Sequence, residues 1–296
     1  MSSTPPGAPL PPDLLPSGDR RSRILGGGGT RVEGRRAVVV ALTSTATFFT
    51  LIVVVVVNSP GWEEFSFKFL NGREFLDSLP RTGIAFLVNI QLFLVAEVLV
   101  LIFALGVAVL RSLPGPVFFP IRFLAAAYTD LLRGIPTVLV IYTLGLGAPA
   151  LQIQGIPKSP FFWAVVSLVL VYTAYVAEVY RAGIESVHES QAAAARSLGL
   201  TRWQSTRYVI LPQAVRRIIP PLLNDFLGLQ KDTALVALVG VVEAFRQGQI
   251  DSSATFNFTP FLATALYFVV ITIPLARMID WLVARDRRRR QADRAA

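Results

Sequence analysis

The chain has 296 residues, 53% hydrophobic and 16% charged, more apolar material than a single water-soluble core needs. Cysteine is absent, which excludes disulfides, thiol catalysis and cysteine-ligated metals. The net charge of +9 raises nucleic acid as a partner, but no aromatic-basic surface or binding motif accompanies it.

Residues 1–36 carry six prolines before Asp19 and the run Gly26 to Gly29, a composition that predicts a disordered cytoplasmic tail. No strand precedes the glycines and no Gly-Lys-Ser/Thr follows, so they read as a linker and not a phosphate loop. The segment is too long, and too poor in early basic residues, for a cleaved signal peptide.

Crossing about 30 Å of hydrocarbon takes roughly 20 helical residues. Runs 37–57, 82–110, 159–177 and 255–276 satisfy this with a single charge among them, Glu97. Two further runs are punctuated: 117–152 by Arg122, Asp130 and Arg133, and 212–245 by Arg216, Arg217, Asp225, Lys231, Asp232 and Glu243. The reading is an all-α polytopic bundle of six membrane helices; continuous apolar runs exclude a barrel of alternating strands. Residues 58–81 mix Trp62, Phe65, Phe67, Phe69 and Phe75 with acids and bases, as expected of a segment along the outer interface.

With the amino terminus inside, 19 of the 28 Lys and Arg fall on the cytoplasmic side: six before the first span, Arg111, six from Arg181 to Arg217, and six from Arg285 onward; five, Lys68, Arg73, Arg81, Lys158 and Arg246, fall outside. This asymmetry predicts two cytoplasmic termini, the last residues, 286–296, forming a basic tail. The charge thus reports topology, with contact to anionic lipid as a secondary use.

On that side, 183–211 is the longest polar stretch. Glu189 to Leu198 are good helix formers, Gly199 can adopt the left-handed conformation that ends a helix, and Leu200 is the apolar residue expected beyond it. Thr201 and Gln204 have capping-box spacing and start a second helix expected to run to Pro212. Such a hairpin, with small residues Ala192 to Ala195, suits docking into a groove on a soluble partner; the plainer alternative is a solvated amphipathic loop. His188, the only histidine, has no companion ligand, so no metal is expected.

Here the residues resemble a known family. Gln191-Ala-Ala-Ala-Ala-Arg-Ser-Leu-Gly199, followed after nine residues by Val209-Ile-Leu-Pro212-Gln-Ala, resembles the EAA loop of bacterial ABC importer permeases. Aligned on Gly199 and Pro212, the family's Glu-Ala-Ala falls on Ala193, Ala194 and Ala195, so its glutamate is missing. Arg133-Gly-Ile-Pro136, Ala174-Tyr-Val-Ala-Glu178-Val-Tyr-Arg181, Leu211-Pro-Gln-Ala-Val-Arg216, Pro220-Pro221, Asn224 and Lys231-Asp-Thr233 are similar, in order, to motifs of the polar amino-acid branch. That branch is typified by histidine, glutamine, glutamate and arginine uptake systems. The resemblance covers about 82–285, a five-helix core, leaving 37–57 as an additional helix.

The resemblance implies a transport subunit, not an enzyme, in an ATP-driven importer of polar or charged amino acids. Its partners would be two ATPase subunits, a second permease (a copy or a paralogue), and an extracytoplasmic binding protein. No cofactor is expected on this chain; ATP and magnesium would sit on the ATPase, in keeping with the absence of any Gly-x-x-x-x-Gly-Lys-Ser/Thr here. Gln191, Ala193, Ala194, Ala195, Gly199 and Leu200, within a coupling helix at about 189–200, would pass ATPase motion to the bundle.

Charges at membrane depth must face protein, a counter-charge or a watery path. Asn224 and Lys231 share a helix face, with Asp232 and Thr233 beside them, as pathway candidates or as a buried packing network. Glu178 and Arg181 are one turn apart and can pair, as can Asp130 and Arg133, after which Gly134 and Pro136 should bend the helix and expose backbone carbonyls; Glu178 and Arg133 are also pathway candidates, with local pairing or packing as the alternative. Glu97 could face a partner subunit or the pathway. A secondary transporter driven by an ion gradient is the rival reading, but no internal repeat supports it; an intramembrane enzyme lacks a nucleophile-base pair or metal cluster.

Overall fold

A computed structural model describes the backbone of residues 31–295 and the side chains of residues 36–285. Residues 1–30, most of the expected tail, lie outside the described residues, as do the side chains of 286–296. Every described element is helical, in accord with the all-α reading. The chain divides into two compact units, Met1–Glu63 and Glu64–Ala296.

The first unit contains α1 (Arg31–Val57), six residues longer at its start than the sequence suggested. It is apolar on every side, the composition of a helix solvated by lipid. Two of its polar side chains are satisfied within the helix: the Thr43 hydroxyl donates to the Val39 carbonyl (2.8 Å) and that of Ser44 to Ala41 (3.0 Å).

The second unit is built on two long helices, α3 (Gly72–Arg111) and α6 (Pro160–Glu185). Helix α3 buries Phe86, Leu92, Phe93, Ala96, Val100, Ala104 and Ala108, a stripe at three- and four-residue spacing. Helix α6 meets it with Ala164, Leu168, Val171, Val176 and Ala177. Small residues on both sides let the backbones approach, which is what holds helices together where lipid removes the hydrophobic drive.

Between them come α4 (Phe119–Gly134) and α5 (Thr137–Ala150), bent by 103°. The cause is local: Ile135 is extended (φ −98°, ψ 131°), as steric conflict with the Pro136 ring demands. The expected bend is present, and run 117–152 is a broken pair, not one straight span.

After α6 follow α7 (Glu189–Ser197), α8 (Arg202–Ser205), a π-turn at Thr206–Ile210, and α9 (Leu211–Asp232). The chain ends in α10 (Ala244–Thr255) and α11 (Pro260–Ala295). Among the described residues, four helices are long and apolar enough by composition to cross a membrane, or five with the bent pair as one, against the six expected. The difference is α9, whose Arg216, Arg217, Asp225, Lys231 and Asp232 make it amphipathic; it continues as a 3-10 segment, Thr233–Val239, up to left-handed Gly240.

One further expectation changes. Pro212 does not end the second cytoplasmic helix: the Leu211 amide reaches back to Thr206, and this wider turn makes room for the proline ring at the start of α9. Segment 58–81 has helical structure of its own. It holds α2 (Trp62–Phe69) and the first turns of α3, capped by the Asn71 side chain, which accepts from the Arg73 and Glu74 amides. Residues 67–71 clasp the α10–α11 connection: the Phe258 amide donates to the Lys68 carbonyl (2.7 Å), the Asn257 side chain to Phe67 (2.8 Å), and Phe69 stacks on Phe258.

Candidate functional site

The polar turn after α6 is tied to α9 at its base, where Arg217 donates to the Ser186 carbonyl and Val187 packs with Ala214 and Ile218, and is built beyond that by short-range bonds. The His188 ring accepts from the Ser190 amide (3.2 Å) and caps α7, a role that needs no metal. Gly199, at φ +84°, ends the helix: the Leu200 amide reaches the Ala195 carbonyl (3.2 Å) and the Gly199 amide that of Arg196 (2.9 Å). These are the two bonds of a Schellman motif. Thr201 and Gln204 complete the expected capping box, at 2.9 and 3.2 Å. Ala195 is buried, while Gln191, Ala193, Ala194 and Gly199 are exposed and Leu200 half-buried. Leu198, Trp203 and Tyr208 project from the same turn with 85%, 74% and 68% of their surface open, an apolar patch for a partner.

A charge cluster joins the ends of α3, α4 and α6. Glu178 pairs with Arg181 as the sequence suggested, but it also accepts from Arg111 Nη1 (2.8 Å) and lies 3.8 Å from Arg133 Nη1. Arg181 bonds Glu185 in addition, and Arg111 donates to Thr129 Oγ1 (2.8 Å). Arg133 has thus turned from Asp130, which is exposed, towards Glu178 and the Tyr175 ring, because α6 packs against α4 on that side. Three guanidiniums thus share two carboxylates, Glu178 and Glu185.

Beside this cluster lies a cavity of about 390 Å³ between α6 and α9, with Arg133 and Arg217 on its wall matched in number by Glu178 and Asp225, together with Tyr175. Asp225 Oδ2 is buried there without a hydrogen-bond partner. Half-buried Glu97 lies within electrostatic reach of Asp225. Cations and an unoccupied acceptor in one cavity can hold a carboxylate and an ammonium together.

The pathway candidates of α9 diverge. Asn224 and Lys231 are both exposed on α9, and Lys231 borders an apolar cavity walled by Phe245, Phe261 and Phe268. Asp232 instead accepts from the Tyr172 hydroxyl (2.9 Å), so no Lys231–Asp232 ion pair forms. Adjacent helical residues point about 100° apart, which separates them. Thr233 is buried; its hydroxyl donates to the Gln230 carbonyl (2.7 Å) and accepts from Asn89 (3.1 Å).

Asn89 belongs to a node that sequence reasoning missed. Its amide also donates to Glu243 (2.9 Å) and its oxygen accepts from the Ala244 amide (3.1 Å). Glu243, fully buried, takes the Phe245 (2.9 Å) and Arg246 (2.8 Å) amides and so caps α10. The available signal was a lone asparagine inside the apolar run of α3 and a carboxylate beside Val241 and Val242.

Comparison with known proteins agrees with this geometry. Residues 70–288 match the family described as "Binding-protein-dependent transport system inner membrane component". The chain is 37% identical over 184 residues to the "Probable glutamine ABC transporter permease protein GlnM" of Bacillus subtilis (strain 168), covering 62% of this chain and 83% of that one. It is 35% identical over 162 residues to the "Glutamine transport system permease protein GlnP" of Escherichia coli (strain K12), covering 54% and 74%. A solved structure entitled "Crystal structure of an amino acid ABC transporter with histidines" superposes with TM-score 0.62 at 30% identity, over 72% of this chain and 94% of that one. A MetNI methionine ABC transporter structure shares the fold at TM-score 0.56 and 18% identity, over 71% and 96%.

The chain is therefore a multi-pass membrane permease subunit of the ABC importer class. It belongs to the binding-protein-dependent transport system inner membrane component family, whose energy source and substrate capture reside on partner proteins.

Proposed function

We propose that this permease conducts polar amino acids, and that the cavity between α6 and α9 is part of their route. The observation that carries the reading is Asp225 Oδ2, a buried acceptor without a partner, in a cavity with Arg133 and Arg217. An α-ammonium group fits the first and an α-carboxylate the second, so a zwitterion satisfies both. The names of the relatives, glutamine permeases, support the same class. Glu178 orders Arg133, the Ser186 carbonyl holds Arg217, Glu97 sits within electrostatic reach of Asp225, and Asn224, Lys231, Asp232 and Thr233 line or brace the rest of α9 and its continuation.

Motion enters at the turn around Gly199. Two partner ATPases, carrying ATP and magnesium, press on Gln191, Ala193, Ala194 and Leu200; Ala195, buried beneath, transmits the push. With no glutamate at position 193, the contact is apolar, made by Leu198 and Trp203. A second permease completes the channel, both termini are cytoplasmic, and α1 is an addition to the five-helix core.

Reconstitution with the partner ATPase and binding protein tests the substrate class. Uptake of radiolabelled glutamine, glutamate, arginine and histidine is expected for at least one of them, and Asp225→Asn should raise its half-saturating concentration at least about tenfold. Unchanged uptake in Asp225→Asn removes the cavity from the route.

A further inference from the structure

A second polar cavity, of about 620 Å³, opens beside the carboxyl-terminal half of α10 and is separate from the route described above. Its wall combines three kinds of group. Arg246 is exposed, and among the described residues its guanidinium bonds the neutral Gln249 side chain (2.9 Å) and forms no ion pair. Ser252 is 4% exposed, yet its hydroxyl has no hydrogen-bond partner. Phe256, Phe258 and Phe261 supply aromatic surface.

The aromatic residues differ in a telling way. Phe258 stacks on Phe69 and Phe261 packs against Phe245, so both are fixed walls. Phe256 ends α10 in the left-handed region (φ +52°, ψ 29°), where a residue with a β-carbon is strained, and its ring is 80% exposed. A strained backbone that holds an aromatic ring out of the core has the form of an anchor for another protein. A small molecule inside the cavity would cover only the part of Phe256 that lines the wall and leave the rest open.

Arg246 lies among the basic residues assigned to the outer side, where a binding protein must dock. Building on the orientation in the proposed function, we propose that this cavity receives an acidic side chain of the extracytoplasmic binding protein. The carboxylate meets the Arg246 guanidinium and the free Ser252 hydroxyl, and the apolar flank of its loop covers Phe256.

The absence of cysteine makes a two-part test possible. Ser253, on the rim of the cavity, is replaced by cysteine and probed with a membrane-impermeant maleimide in intact cells. Labelling from outside is expected; labelling only after the cells are opened overturns the orientation, and with it the reading on which this inference rests. The assembled transporter is then placed in nanodiscs and titrated with its purified binding protein. Arg246→Glu should weaken affinity at least about tenfold, Arg246→Lys should restore most of it, and an Asp or Glu to Arg change on the binding protein should rescue Arg246→Glu. Phe256→Ala should weaken it about fivefold. Affinity within a factor of two of the parent for both Arg246→Glu and Phe256→Ala, in transporters that co-purify normally with their ATPase, overturns the docking site. So does Arg246-dependent binding of free glutamine or glutamate to the transporter without the binding protein, which would make the cavity a small-molecule site.

Discussion

The turn at Gly199 and the buried node at Asn89 are both polar, but they are held together over different distances. From His188 to Ser205 the bonds that cap and close the turn join residues within five positions of each other, the tie from Arg217 to Ser186 lies at its base, and its outer face is left open. The node joins Asn89 to Thr233, Glu243 and Ala244, between 144 and 155 residues away, with no access to water. A locally built element can move as a rigid piece without disturbing the bundle, which suits a lever. A node of buried polar groups from distant helices has one satisfied arrangement and fixes the register of α3 against α10.

If that contrast holds, damage should be large and global at the node, and small and local at the turn. The largest effect is expected for Asn89→Leu, which strips partners from buried Glu243, Thr233 and the Ala244 amide at once. A loss of about 3 kcal/mol is expected from leaving such groups unpaired, read as a fall in the melting temperature of the detergent-solubilised protein. A melting temperature equal to the parent's means that the node does not brace the fold.

The cluster at Glu178 is intermediate, being partly open to solvent. Glu178→Gln leaves Arg111, Arg133 and Arg181 facing one another and should cost about 2 kcal/mol. In a double-mutant cycle with Arg111→Gln, coupling of about 1 kcal/mol is expected; additivity within error means that the 2.8 Å contact contributes nothing.

At the turn, Gly199→Val should cost about 1–2 kcal/mol because a β-branched residue is forced into the left-handed region. The smallest effect, about 1 kcal/mol, is expected from Thr201→Ala, which removes one half of the capping box. Hydrogen exchange should localise the change to residues 189–205, with the protection of α3 and α6 unchanged. Exchange that rises throughout the bundle would show that the turn is not mechanically separate.

The same contrast explains what could be read from the residues. Gly199, Leu200, Thr201 and Gln204 act on near neighbours, so their spacing alone gave the Schellman end and the capping box. The Gly134–Pro136 bend was equally visible because a proline restricts the residue before it. Long apolar runs announced α1, α3, α6 and α11 for the same reason: lipid solvation depends on composition.

Asn89 with Glu243, and Arg111 with Glu178, could not be seen this way, since their pairing depends on how helices cross. Arg111 looked like one more basic residue on the inner side. Arg133 was assigned to Asp130 by spacing, but the approach of α6 offered a better partner. Lys231 and Asp232, adjacent in the chain, were separated by the helical rotation between them.

The central claim is that the Gly199 turn touches the ATPase, and one cross-link tests it most directly. Ala194→Cys gives this cysteine-free chain a single thiol on the exposed face of α7. Treated with a short bifunctional maleimide in inverted membrane vesicles, it should yield one adduct with the ATPase subunit, and the yield should change when ATP is trapped by vanadate. A thiol that labels fully with monofunctional maleimide yet captures no ATPase in either state would contradict the account.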